Sequence, residues 1–110
     1  MIKVDVKPLS VNKAWQGRRF KTPEYKAYEK HLLLILPRAD VPQGPLKAFY
    51  EFGQSNSLAD WDNPIKAFQD VLQKKYGFND RDILEAHVKK VIVPKGKEYA
   101  AFSFTEWAES

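Results

Sequence analysis

Cysteine is absent from this chain of 110 residues, which excludes disulfides and thiolate-zinc sites. That absence agrees with a reducing compartment, and a cytoplasmic location is expected. Histidine is scarce: His31 falls in a helical pattern and His87 on the polar side of a strand, neither with a partner pattern that marks chemistry. Long apolar runs are missing too. The longest, Leu32-Leu33-Leu34-Ile35-Leu36, is far too short to span a membrane. The amino terminus reads as a strand rather than a signal peptide. No internal repeat or low-complexity segment interrupts the chain, so residues 1–110 are expected to form one domain, large enough to build a core without staples.

What is present begins with charge. The formal net charge is +4 and the isoelectric point is near 9.3. A modest positive balance fits a polyanionic partner without demanding one. The distribution says more: Lys13, Arg18, Arg19, Lys21, Lys26 and Lys30 cluster early, interleaved with Trp15, Phe20 and Tyr25. Phosphates attract such cations, and aromatic faces stack on unpaired bases, Trp15 being the candidate for a base opened in the nucleic acid. The plainer account is a solvated loop followed by a helix whose aromatics pack inward; Trp61 and Trp107 are expected to pack.

Patterning predicts an α+β fold in two layers, a mixed β-sheet with two helices in the order β-α-β-α-β-β. Ile2, Val4 and Val6 alternate with polar residues as a first strand, Pro8 ends it, and a polar loop runs through Gly17. Thr22-Pro23 starts a helix with Tyr25, Tyr28, Leu32 and Ile35 on one face, stopped by Pro37. Leu46, Ala48, Tyr50 and Phe52 form the inner side of a second strand, followed by a polar segment from Gly53 through Ser57. A second helix buries Ile65, Phe68, Leu72 and Tyr76, and Gly77 is placed to terminate it. Leu84, Ala86 and Val88 then mark a third strand, and Ala100, Phe102 and Phe104 a last one after a turn at residues 94–97.

The segment Asp60-Trp61-Asp62-Asn63-Pro64-Ile65-Lys66, with Asp70 and Asn79-Asp80 beyond it, carries the chemistry. In extended backbone Asp60 and Asp62 would share one face with Trp61 on the other. Carboxylates so placed suit Mg²⁺, which takes one or two of them, keeps several waters and leaves room for phosphate oxygens. The competing account is structural. Asn63 can cap a helix, Pro64 fits its first position, and negative charge is favoured at its start.

The pattern Asp60-x-Asp62-Asn63-x-x-Lys66-x-x-x-Asp70-x-Leu72, followed by Gly77, Asn79-Asp80 and Ile83, resembles the core signature of the RusA-type Holliday-junction resolvases. Leu9-Ser10-Val11-Asn12-Lys13, Lys21-Thr22 and Tyr28 resemble that family's amino-terminal region, so the likeness runs through most of the chain. These are small, dimeric endonucleases found mainly in phages and prophages, which implies a bacterial host cytoplasm. The resemblance implies a Mg²⁺-dependent, structure-selective DNA endonuclease that resolves four-way junctions by paired strand cuts, with Mn²⁺ as a substitute metal. It implies Asp60, Asp62 and Asp80 as metal ligands and Lys66 as an electrostatic catalytic group. Asn63 and Asp70 would support them, and Asn12, Lys13, Trp15, Arg18, Arg19 and Lys21 would contact DNA. Departures are visible: no basic residue lies between Gly53 and Ala59, Pro64 replaces an aliphatic residue, Asn79 replaces the first of two common aspartates, and Asp82 stands where glutamine or another polar residue is usual.

Helix length creates a geometric question. About 20 Å of helix would separate Asp62 from Lys75 at 1.5 Å per residue, and Asp80 follows the far end. Either the connection folds back along the helix, or Asp80 comes from a second subunit in a two-fold dimer, the arrangement hypothesised from the sequence. Other readings are a less selective flap or fork nuclease, a catalytically weak branched-DNA-binding protein, and a protein-interaction domain in which the motif only caps a helix.

Overall fold

The chain runs β1 (Ile2–Val4), α1 (Val11–Ala14), β2 (Trp15–Gln16), β3 (Phe20–Lys21), α2 (Pro23–Ile35), β4 (Leu46–Gln54), α3 (Ile65–Tyr76), a 3₁₀ turn (Asp80–Asp82), β5 (Ile83–Ile92) and β6 (Tyr99–Glu106) in a computed structural model that describes residues 1–16 and 20–109. This is the expected α+β fold, with a mixed sheet ordered β1-β6-β4-β5. β6 lies antiparallel to both β1 and β4, while β4 and β5 are parallel. Parallel neighbours need a crossover, and α3 supplies it. Among the described residues no helix is long and apolar enough to cross a membrane.

β4 organises the core because its alternation is strict. Leu46, Ala48, Tyr50 and Phe52 are all buried, and the helices cover that face. Phe68 of α3 meets Tyr50, Phe52 and Phe102 edge-on, with ring centroids 5.9, 5.5 and 5.9 Å apart. Such edge-to-face geometry suits the ring quadrupoles and adds to the area buried. α2 buries Tyr25, Tyr28 and Leu32 as its spacing predicts, with Ile35 only partly covered. Thr22 caps it, accepting from the Tyr25 N–H at 3.1 Å.

Four expectations need correction. The polar loop through Gly17 contains α1, capped by the Ser10 hydroxyl, and β2, which pairs with β3 in a small hairpin. β4 continues through Gly53 and Gln54, where a polar segment was expected. A side chain at Gly53 would collide with the Tyr99 ring, so this strand position requires glycine for close approach. On β5, Leu84 and Ala86 are exposed rather than inward, because β5 is the outer strand and a register shift falls beside Leu46. Finally Trp61, expected to pack, is 57 % exposed.

One ion-pair cluster ties α2 to its neighbours. Glu29 accepts from Lys21 at 2.8 Å and from Lys74 of α3 at 3.2 Å. Burial alone would raise the Glu29 carboxyl, but hydrogen bonds and charge from Lys21 and Lys74 outweigh it and hold it below its ordinary range. A pKa lowered by folding contributes stability above the ordinary glutamate range, and that contribution is lost as pH falls through the folded value. Glu29→Gln should therefore cost about 1 kcal/mol at pH 7, the exposed lysines limiting the effect. Urea unfolding at pH 7 and pH 3 should show the wild type losing more stability on acidification than the variant; equal losses would remove Glu29 from the account.

Candidate active site

The acidic segment lies between β4 and α3, and its backbone is not extended. It bends at Trp61 and Asp62 and turns at Asn63 and Pro64, so the simple alternation expected for Asp60 and Asp62 is not its geometry. Both carboxylates are nonetheless exposed on one short loop. Asn63 does not cap α3. Pro64 occupies the cap position in helical conformation, and no side chain makes a capping hydrogen bond. The Asn63 amide instead donates to Asp60 Oδ2 over 3.4 Å, and its carbonyl accepts the Val11 N–H at 2.9 Å.

The same loop is held from a second side. Lys90 Nζ donates to the Ser57 carbonyl at 2.9 Å and also to the Ala59 carbonyl, immediately before Asp60. Leu58 between them is 87 % exposed, and with Trp61 it places apolar surface beside the aspartates. Lys90, which anchors this loop, is the residue that sequence reasoning missed. Its signal was faint: Lys90 lies two residues beyond the half-buried Val88 and is itself half-buried, and a lysine so placed needs partners.

Lys66 pairs with Asp70 at 3.0 Å, the i,i+4 interaction that helical spacing allows. Asp70 also stands close enough to Tyr25 for its charge to raise that phenol further, after the larger effect of burial. Asn79 caps the 3₁₀ turn, its side-chain oxygen accepting the Arg81 N–H at 3.0 Å. Where the family resemblance places an aspartate, this chain thus has a cap.

Asp80 is separated from Asp62 by the whole of α3, but it does not continue away from the helix. Tyr50 is raised chiefly by burial and next by the charge of Asp80. The Tyr50 hydroxyl donates to Gln69 Oε1 at 2.9 Å, in the second turn of α3. Asp80 thus lies within electrostatic reach of Tyr50, whose hydroxyl is bonded to α3. Among the described residues, however, no group of three or more acidic or histidine side chains is gathered closely enough to hold a metal ion. The fit to Mg²⁺ rests on Asp60, which accepts the long Asn63 contact, and Asp62, both exposed carboxylates, which suits an ion that retains much of its water.

The expected DNA-contacting residues divide. Asn12 and Lys13 are exposed on α1. Trp15 is packed edge-on against Tyr25 at 5.2 Å, so its ring is part of the core margin. Lys21 is engaged with Glu29 and lies 5.0 Å from the Tyr25 ring centre. Arg18 and Arg19 lie outside the described residues.

Compared with models of protein families the chain matches none, and compared with curated proteins it matches none.

Trp61, exposed between the two aspartates, is a built-in reporter of a cation there. Mn²⁺ should quench its fluorescence saturably, Asp60→Asn with Asp62→Asn should abolish that saturation, and Lys90→Met should weaken it by about tenfold, or 1.4 kcal/mol. Quenching identical in all three proteins would show that the loop binds no ion.

Proposed function

We propose that this chain is a Mg²⁺-dependent, structure-selective DNA endonuclease of RusA type, cutting opposed strands of a four-way junction as a homodimer. The observation that carries this reading is the diversion of Asn63. It leaves the helix start uncapped and turns toward Asp60, so capping does not account for the Asp-x-Asp-Asn sequence. Anchoring of the loop by Lys90 and by the Val11 N–H adds support, because metal ligands work best when their backbone is fixed.

Asp60 and Asp62 would hold the ion, with Asp80 as the third carboxylate. Bound Mg²⁺ supplies charge neutralisation at phosphorus and an activated water. Lys66, released from Asp70 when a phosphate arrives, stabilises the charge that develops on the phosphoryl oxygens. Asn63 orients Asp60. Exposed Leu58 and Trp61 offer surfaces for bases unstacked at a branch point. Asp80 reaches the other two carboxylates either within its own chain or from the partner, and mixed dimers decide between the two.

The outer strand supports the homodimer. Among the described residues one edge of β5 is unpaired, and Leu84 and Ile92 on that strand are 55 % and 56 % exposed. An uncovered edge of ten residues is a template for strand addition, and two copies can meet there about a dyad.

Asp62→Asn and Asp80→Asn should each bind branched DNA as the wild type does and cut it at least about 100-fold more slowly. Mixed dimers of these two variants should remain inactive if Asp80 serves its own chain; recovered cutting would place Asp80 in the partner's site. Full activity in either single variant would contradict its assigned role.

A further inference from the structure

A cavity of about 600 Å³ lies between the segment Lys7–Lys13, α2 and the segment Gln54–Pro64. Its size falls in the range of small-molecule sites. Ala59, Asn63 and Pro64 form part of its wall, so it adjoins the loop that bears Asp60 and Asp62.

The lining selects against a phosphate. Lys7 and Lys13 are balanced by Glu24 and Glu98. Glu98 is already engaged, accepting from the Ser55 hydroxyl at 2.7 Å and the Gly96 N–H at 2.9 Å, which hold its carboxyl below the ordinary range. With no net charge in the wall, the cavity favours a neutral polar occupant over an anion. Asn56 Oδ1 accepts the Leu58 N–H at 2.9 Å and Asn63 gives one N–H to Asp60; the second Asn63 N–H, the Asn56 N–H groups and Gln54 Oε1 match an occupant whose edge offers both acceptors and a donor. Pro8 and Leu9, both partly exposed, supply apolar wall for the face of a flat ring.

Two wall residues also carry unmet hydrogen-bonding capacity. The Tyr28 hydroxyl and Gln54 Nε2 are buried and have no partner among the described residues. Buried polar groups left unpaired are costly, and these two atoms lie behind the cavity surface, so an occupant pairs with them only if the Tyr28 and Gln54 side chains shift.

We propose that this cavity receives one unpaired nucleobase of the DNA, seated beside the strand that reaches Asp60 and Asp62. The choice of a base rather than another neutral planar molecule rests on the nuclease reading. Extrusion of a base costs least where it is already unpaired or unstacked, as at a branch point. The base pocket and the exposed Leu58 and Trp61 would then act together, one receiving a nucleobase and the other supporting its neighbours.

The test is a titration of the protein with each of the four 2′-deoxynucleosides, and with 2-deoxyribose as control, followed through side-chain amide NMR signals. Ala27 lies on the cavity wall at an exposed helix position, so Ala27→Trp fills the space without entering the core; its thermal unfolding should match the wild type. The expected result is saturable shifts of the Gln54, Asn56 and Asn63 amides with nucleosides, absent with the sugar and lost in Ala27→Trp. No shifts, equal shifts with the sugar, or shifts that persist in Ala27→Trp would overturn the proposal. Junction cutting without nucleoside binding would reject the cavity assignment alone, whereas nucleoside binding without cutting would sustain the base site and reject the nuclease.

Discussion

The parallel pairing of β4 with β5 is the constraint on which the rest of the molecule depends. Two parallel strands cannot be joined by a tight turn, so the chain must cross over, and α3 is that crossover. Phe68 seats the helix against Tyr50, Phe52 and Phe102, fixing where it begins. The acidic loop is consequently delivered at the carboxyl end of β4, the position where open sheets with crossover connections tend to carry binding loops. β5, forced to the outside by the same topology, returns Lys90 to the carbonyls before Asp60. One strand therefore both creates the crossover and anchors the loop that the crossover generates.

Charge follows the same division between fixed and available groups. Lys21 and Lys74 are committed to Glu29, where they join β3, α2 and α3, and Lys90 is committed to loop carbonyls. Among the described residues Lys66 pairs through an exposed i,i+4 contact, which is weak. The positive residues thus do different work despite similar spacing in the sequence. Tyr99 shows the reverse relation: its hydrogen bond to Glu51, and then burial, push the phenol up to about 12, making it a firm structural donor at neutral pH.

Much of the fold was legible because its periods are clean. Leu46 to Phe52 alternates without interruption, and α2 and α3 carry helical stripes ended by Leu36 before Pro37 and by Gly77 at positive φ. The misreadings arose where local pattern lacks tertiary information. Thr22 was legible as a helix start, but the short helix capped by Ser10 was not, and the donation of Thr22 to the Lys13 carbonyl at 2.6 Å links segments nine residues apart. Leu84 and Ala86 have inward spacing, but an outer strand beyond the reach of the helices leaves them exposed. In the candidate site, the aspartates and Lys66 could be picked out by type and spacing. Asn63 could not be assigned, since capping and orienting Asp60 call for the same side chain. Lys90 is 30 residues from Asp60 in sequence, and only the register of β5 brings it there.

The most direct measurement is cleavage of an end-labelled synthetic four-way junction beside a linear duplex of the same sequence, each with Mg²⁺ or with EDTA. The account predicts paired nicks in opposed strands of the junction, dependent on Mg²⁺, with the duplex left intact. Tight binding to the junction without cuts in Mg²⁺ or Mn²⁺, or equal indifference to both DNAs, would contradict it.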